Sequence, residues 1–288
     1  MNSSVTPAES PASESGAPAP AARRARILAV TSGKGGVGKT FLSANLAASL
    51  ARLGRRVLVL DADLGLANLD VVLNLHPKVT LHDVFTGKVE LEDAILPAPG
   101  GFSVLLAGSG LVEYSRLTPD VREQLLRIID TVAPRFDHIL LDTGAGLSDV
   151  VLYAVSLADD VLVITTPEPT SMTDAYATIK VLATQQRRRE IRLVVNQVGR
   201  LGEGRAIRGQ LQLVVDRFVT PMLAQADDEV GAAVKPALKS ALKLELLGEV
   251  PLDPAVREAV QKRRLLLQLL PGCPAARAVE AIAARLAP

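Results

Sequence analysis

The stretch that most constrains this chain is Gly33-Lys34-Gly35-Gly36-Val37-Gly38-Lys39-Thr40. The apolar run Ile27–Val30 precedes it and reads as a short buried strand, and Leu42, Leu46, Ala47 and Leu50 follow at the spacing of an amphipathic helix. Strand, glycine-rich loop and helix is the context a phosphate-binding loop needs, and the match to G-x-x-x-x-G-K-[ST] is complete. Glycines let successive backbone N–H groups turn inward around a β-phosphate with no Cβ in the way. The helix beginning near Lys39 points its positive dipole end at the same anion. In that geometry Lys39 reaches the β- and γ-phosphates and the Thr40 hydroxyl takes a place on Mg²⁺. Gly33, Lys34, Gly35, Gly36, Val37, Gly38 and Phe41 complete the expected binding segment.

The chain has 288 residues, enough for one large α/β domain with tails. Hydrophobic residues make up 48% and charged residues 22%, the profile of a soluble globular protein, and the net charge of +1 exerts no global pull on nucleic acid or acidic membranes. The lone Cys273 permits no internal disulfide and fits a reducing cytoplasm. No apolar run reaches the ~18 residues a membrane span needs. Arg23, Arg24 and Arg26 before Ile27–Val30 faintly mimic a secretory signal, but Thr31-Ser32-Gly33-Lys34 cuts the apolar part short. Residues 1–25, rich in Pro, Ala and Ser, are expected to be a disordered tail. Residues 26–288 are expected to form a single ATPase domain.

Beyond the loop, strands and helices are expected to alternate. A helix over 41–53 closes at Gly54, and Val57–Leu60 forms a strand ending in Asp61-Ala62-Asp63. Residues 64–84 read as loop and short helices, and Phe102–Leu106 as a strand. A helix over Pro119–Val132 precedes the buried strand His138–Asp142. Then come a helix over 148–157, a strand over 161–165, a helix over 171–186 and a strand over 191–196. A last strand over 247–251 and helices over 254–263 and 275–287 close the chain. This alternation argues for a doubly wound, mostly parallel α/β sheet. No internal repeat is present. Such folds bind ligands at the carboxyl edge of their strands, where Asp61, Asp63 and Asp142 all fall. Asp142, ending an apolar strand about a hundred residues after the loop, stands where a Walker B aspartate would hold Mg²⁺ through a coordinated water. No carboxylate follows it before Asp149, so water activation must come from elsewhere.

Lys34 is extra to the phosphate-loop pattern, and with it Lys34-Gly35-Gly36-Val37-Gly38-Lys39-Thr40 resembles the deviant Walker A signature of the MinD/ParA class of P-loop ATPases, a SIMIBI-type fold. The resemblance implies that ATP and Mg²⁺ are the cofactors, and that Lys34 crosses to the nucleotide of a second subunit in an ATP-dependent homodimer. It also implies that Asp63, in the segment matching switch I, orients the attacking water. At the end of the strand before the adenine, the resemblance has Asn196 contact the base. Asp61 is assigned to supporting the Mg²⁺ shell, and the competing reading for both aspartates is a turn or helix-capping Asp. Longer blocks narrow the likeness: Asp61–Asp70, Asp142–Gly146, Pro167–Tyr176 and Asp253–Val260 resemble the FlhG/FleN branch, which regulates the number and placement of bacterial flagella. The likeness covers about residues 26–287.

The function implied is an ATP-binding and slowly hydrolysing dimerisation switch, cytoplasmic and peripheral on the membrane in its ATP state, with a protein partner in the flagellar or positioning machinery. The alternative is a ParA/MinD-like ATPase that positions chromosome, plasmid, division site or other cargo, and a membrane surface ranks ahead of DNA as a further partner. The tail carries nothing like the N-terminal motif with which some members stimulate a partner GTPase. Residues 222–246 read as an atypical insert in which Lys235, Lys239 and Lys243 would form a basic strip if helical, either a solvated face or a contact surface. Lys262–Leu270 has the composition of a membrane-seeking helix, although packing on the sheet explains its leucines equally. A redox or iron–sulfur role would need cysteine pairs. A tyrosine-kinase role would need a tyrosine-rich tail, whereas Tyr114, Tyr153 and Tyr176 are internal, and a biotin-pathway ligase would need a small-molecule acceptor. His76, His82 and His138 lack metal-ligand spacing and read as structural.

Overall fold

β1 (Arg26–Ser32), the strand that leads into the glycine-rich loop, lies inside an eight-stranded sheet in the computed structural model, which describes residues 24–65, 67–108, 116–229 and 241–287. Across the sheet the order is β3 (Ile95–Pro97), β4 (Ser103–Leu105), β2 (Val57–Ala62), β5 (His138–Ala145), β1, β6 (Asp160–Thr165), β7 (Glu190–Val198) and β8 (Lys243–Pro251). Every pairing is parallel except that of β3 with β4. The first helices in the chain are α1 (Lys39–Arg52), α2 (Leu69–Leu73), α3 (Leu81–Phe85) and α4 (Leu91–Ala94). α5 (Pro119–Val132), α6 (Asp149–Ser156), α7 (Pro169–Gln185), α8 (Glu203–Phe218) and α9 (Thr220–Glu229) follow. The chain closes with α10 (Pro254–Gln261), α11 (Leu266–Leu269) and α12 (Pro274–Leu286).

Successive strand residues point to opposite faces, so each buried strand feeds two apolar layers. Ile27 and Ala29 of β1 join the layer beneath α5, α6, α7 and α8, while Leu28 and Val30 join the layer beneath α1 and α12. α1 is buried over most of its length because α11 and α12 cover its far side, where Arg52 donates to the Leu267 carbonyl. The β8 edge is blocked by side chains. Gln212 of α8 donates to the Leu242 carbonyl and accepts from the Leu244 N–H, and Arg285 of α12 donates to the Leu247 carbonyl. An edge strand so occupied offers few free groups to another chain.

Several elements depart from expectation. β8 begins at Lys243 rather than at 247, so Lys243 does not continue a helical strip; it faces Glu190 of β7, and Leu242 and Leu244 beside it are buried. Lys235 and Lys239 lie outside the described residues, as does most of the expected tail. α8 has no counterpart in the sequence reading, because exposed Leu213 and Phe218 blur the buried stripe of Ile207, Leu211 and Val215. β3 is three residues long, too short for a period-2 pattern to register. Leu265, Leu266 and Leu267 are buried against α1, whereas Lys262, Arg263 and Arg264 are exposed, so the apolar part of that run belongs to the core. Among the described residues no helix is long and apolar enough to cross a membrane.

Candidate functional site

The turn from β1 into α1 builds the floor of the site. Gly38, the residue before the helix, has φ 94° and ψ 24°, a left-handed conformation that needs glycine, and no side chain caps the first turn. The unpaired N–H groups there are left for an anion. Lys39 is buried, and its ammonium donates to Ser32 Oγ at 2.8 Å, while Ser32 Oγ donates to the Lys34 carbonyl at 2.7 Å. Burial pushes the Lys39 pKa down, against the opposing pull of the Asp142 and Asp63 carboxylates.

Asp142 and Asp61 are register partners on β5 and β2, both buried. Asp142 accepts from Ser43 Oγ at 2.9 Å. Burial pushes its pKa up to about 6, although the Thr40 and Ser43 hydroxyls and Lys39 hold it back. Asp61 accepts the Asp63 N–H on Oδ1 at 3.1 Å, and its Oδ2 is buried with no hydrogen-bond partner among the described residues. Burial first, and the neighbouring Asp142 second, push Asp61 well above the usual carboxylate range.

A cavity of about 930 Å³ opens over the loop, lined by Gly35, Gly36, Gly38, Lys39, Thr40, Phe41 and Asp63 among others. Asp63 sits just past the end of β2, and a Cβ on Gly144 would lie 3.3 Å from its carboxylate, so that glycine leaves Asp63 its place. Gly33, Lys34, Val37, Asn196, Asp61 and Asp142 do not line this cavity. Asp61 lines a separate cavity of about 310 Å³ with Asp70, His76 and Thr80. Lys34 extends away, its ammonium donating to Glu168 at 2.6 Å and to Thr170 Oγ1 at 3.0 Å at the start of α7. Asn196 donates from Nδ2 to the Val37 carbonyl at 2.8 Å.

These groups fit a magnesium nucleotide. Among the described residues no three His, Cys, Asp or Glu side chains converge on a self-contained metal site. Mg²⁺ keeps waters and takes phosphate oxygens together with one or two protein ligands. Thr40, which lines the cavity and hydrogen-bonds Asp142, and Asp142 itself could supply such ligands, whereas the buried, unpartnered Asp61 Oδ2 belongs to a residue that lines the separate cavity.

The AAA domain family profile matches residues 25–195. Antiactivator FleN of Pseudomonas aeruginosa is 40% identical over 261 residues, covering 91% of this chain and 86% of FleN. The chain belongs to the MinD/ParA-type ATPases, near the FlhG/FleN branch. The flagellum site-determining protein YlxH of Helicobacter pylori is 31% identical, covering 91% of this chain and 81% of YlxH. Among solved structures, the septum site-determining protein MinD of Pyrococcus horikoshii complexed with Mg-ADP aligns with TM-score 0.67 and 26% identity, over 91% of this chain and 96% of that one. Like the family, this MinD/ParA-type chain uses ATP and Mg²⁺.

The sequence reading assigned no site role to Ser32, Ser43, Gly144, Glu168 or Thr170, although the last three fall in the blocks that carry the family likeness. Ser32 and Ser43 flank the loop closely in sequence, one just before it and one near the start of α1. Glu168 and Thr170 reach Lys34 from more than 130 positions away, and only the packing of α7 beside the loop brings them there.

Proposed function

We propose that this protein is an ATP-dependent dimerisation switch that regulates flagellar number or placement, working in the cytoplasm, with a protein partner reading its ATP state at the membrane surface. One observation carries the dimer reading: the Lys34 ammonium does not line its own loop's cavity but is held by Glu168 and Thr170, an exposed contact from which it would pass to a nucleotide outside its own subunit. Exposed leucines on the carboxyl-edge loops support it, Leu201 at 98% and Leu252 at 70% relative exposure, since a second copy closing on this face would cover them.

The loop N–H groups and Lys39 bind the phosphates and fix their orientation. Thr40 and Asp142 hold Mg²⁺, Asp142 through water, with Asp61 supporting that shell; when bound, the ion neutralises charge on the β- and γ-phosphate oxygens. Asp63 orients water for in-line attack on the γ-phosphorus, and Lys34 of the second copy stabilises the charge that develops there. Asn196 faces the base side of the nucleotide. Hydrolysis is slow and resets the switch.

The test is the mass in solution of wild type, Lys34→Ala and Asp63→Ala with ADP and with ATP. ATP should produce a dimer of Asp63→Ala, with hydrolysis slowed about 10²-fold or more, and none of Lys34→Ala. Three monomers under ATP would refute the switch. Altered flagellar number on deletion of the gene tests the cargo.

A further inference from the structure

We infer that Asn196 is a positioning residue that sets the orientation of the Val37–Gly38 peptide in the phosphate-binding loop; this rests on the ATP-binding reading above. Asn196 ends the apolar run of β7 and is only 7% exposed. Both ends of its carboxamide are engaged: Nδ2 donates to the Val37 carbonyl at 2.8 Å, and Oδ1 accepts the Gln197 N–H at 3.0 Å. A Cβ on Gly38 would lie 2.5 Å from Nδ2, so the carboxamide occupies the space that Gly38 leaves open.

The consequence follows from peptide geometry. In a planar trans peptide the carbonyl and the N–H point in opposite directions. Holding the Val37 carbonyl on Asn196 therefore turns the Gly38 N–H the other way, and Gly38 lines the cavity that takes the phosphates. Gly36 and Gly38 both have positive φ, and glycine imposes little barrier of its own to rotation of the peptide between them and their neighbours. The donor on Asn196 supplies the restraint that the glycine-rich backbone lacks. It acts before nucleotide arrives, through the loop that meets the phosphates, and is separate from any contact with the base.

Asn196→Asp tests this because it is isosteric: it keeps the acceptor for Gln197 and replaces the donor with a carboxylate oxygen facing the Val37 carbonyl. Hydrogen exchange over residues 33–40 of the nucleotide-free protein should quicken at least tenfold, with α12 unchanged. ATP and ADP affinities should fall together by about tenfold, since both carry the β-phosphate. Unchanged exchange in the nucleotide-free loop overturns the inference, and a fall in ATP affinity alongside it would make Asn196 a base contact alone. If the Asp variant exchanges faster throughout the molecule, Asn196→Ser, too short to reach Val37, is measured for the same local signature; its absence is equally fatal. Failure of wild type to bind ATP would instead overturn the nucleotide reading, and the exchange result would stand apart from it.

Discussion

Asp142 carries its carboxylate at the end of an apolar strand, and its pKa of about 6 lies above the ordinary 3.8 chiefly because of burial. Between those values the native protein holds a proton that the unfolded chain has released, so the charged carboxylate costs stability above about pH 6. Nucleotide-free protein should therefore become more stable as pH falls from 7 to 5, by on the order of 1 kcal/mol from this group, with buried Asp61 shifting in the same direction. Asp137, held at about 2 mainly by its hydrogen bonds from Arg56, contributes stability that is lost only below about pH 4 and does not oppose this. Urea unfolding of wild type and Asp142→Asn at both pH values measures the effect, and the variant should lose the part of the gain due to Asp142 while keeping that due to Asp61.

Three helix starts carry distinct roles. Asp253 ties two of them together: Oδ1 accepts the Ala255 N–H of α10 at 2.9 Å and Oδ2 accepts the Ala275 N–H of α12 at 3.1 Å. Asp253→Ala removes both caps and should lower unfolding stability by about 1–2 kcal/mol, as read by urea denaturation. At the start of α7, Glu168 makes no side-chain cap and holds Lys34 instead. Both partners are substantially exposed, so Glu168→Gln should leave monomer stability within about 0.5 kcal/mol of wild type. The same change releases Lys34, and ATP-dependent dimer should form at several-fold lower protein concentration. Light scattering across a dilution series checks this, and an unchanged midpoint would show that the contact does not restrain the lysine.

Over the whole molecule, the nucleotide site joins the two apolar layers, because α1 belongs to one and the packing of α6 and α7 to the other. Mg-ATP should accordingly stabilise the folded chain as a unit, by about 2.7 kcal/mol at a hundredfold excess over Kd. Thermal unfolding with and without EDTA should show the gain and its partial loss when magnesium is removed. The alternation of strands and helices, and the loop itself, were legible in the chain because local signals write them: glycine where the backbone turns left-handed, apolar runs where a strand is covered on both faces. α8 and β3 were not, since exposed Leu213 and Phe218 confuse the helical stripe and three residues carry no period. Asp61 and Asp63 stand two positions apart yet line different cavities, because β2 ends between them. The sequence alone determined a phosphate-binding loop on a parallel sheet. Which side chains hold that loop, Ser32 on Lys39, Glu168 on Lys34 and Asn196 on Val37, was decided by strand order and helix packing, because hydrogen bonds depend on distance in space rather than along the chain.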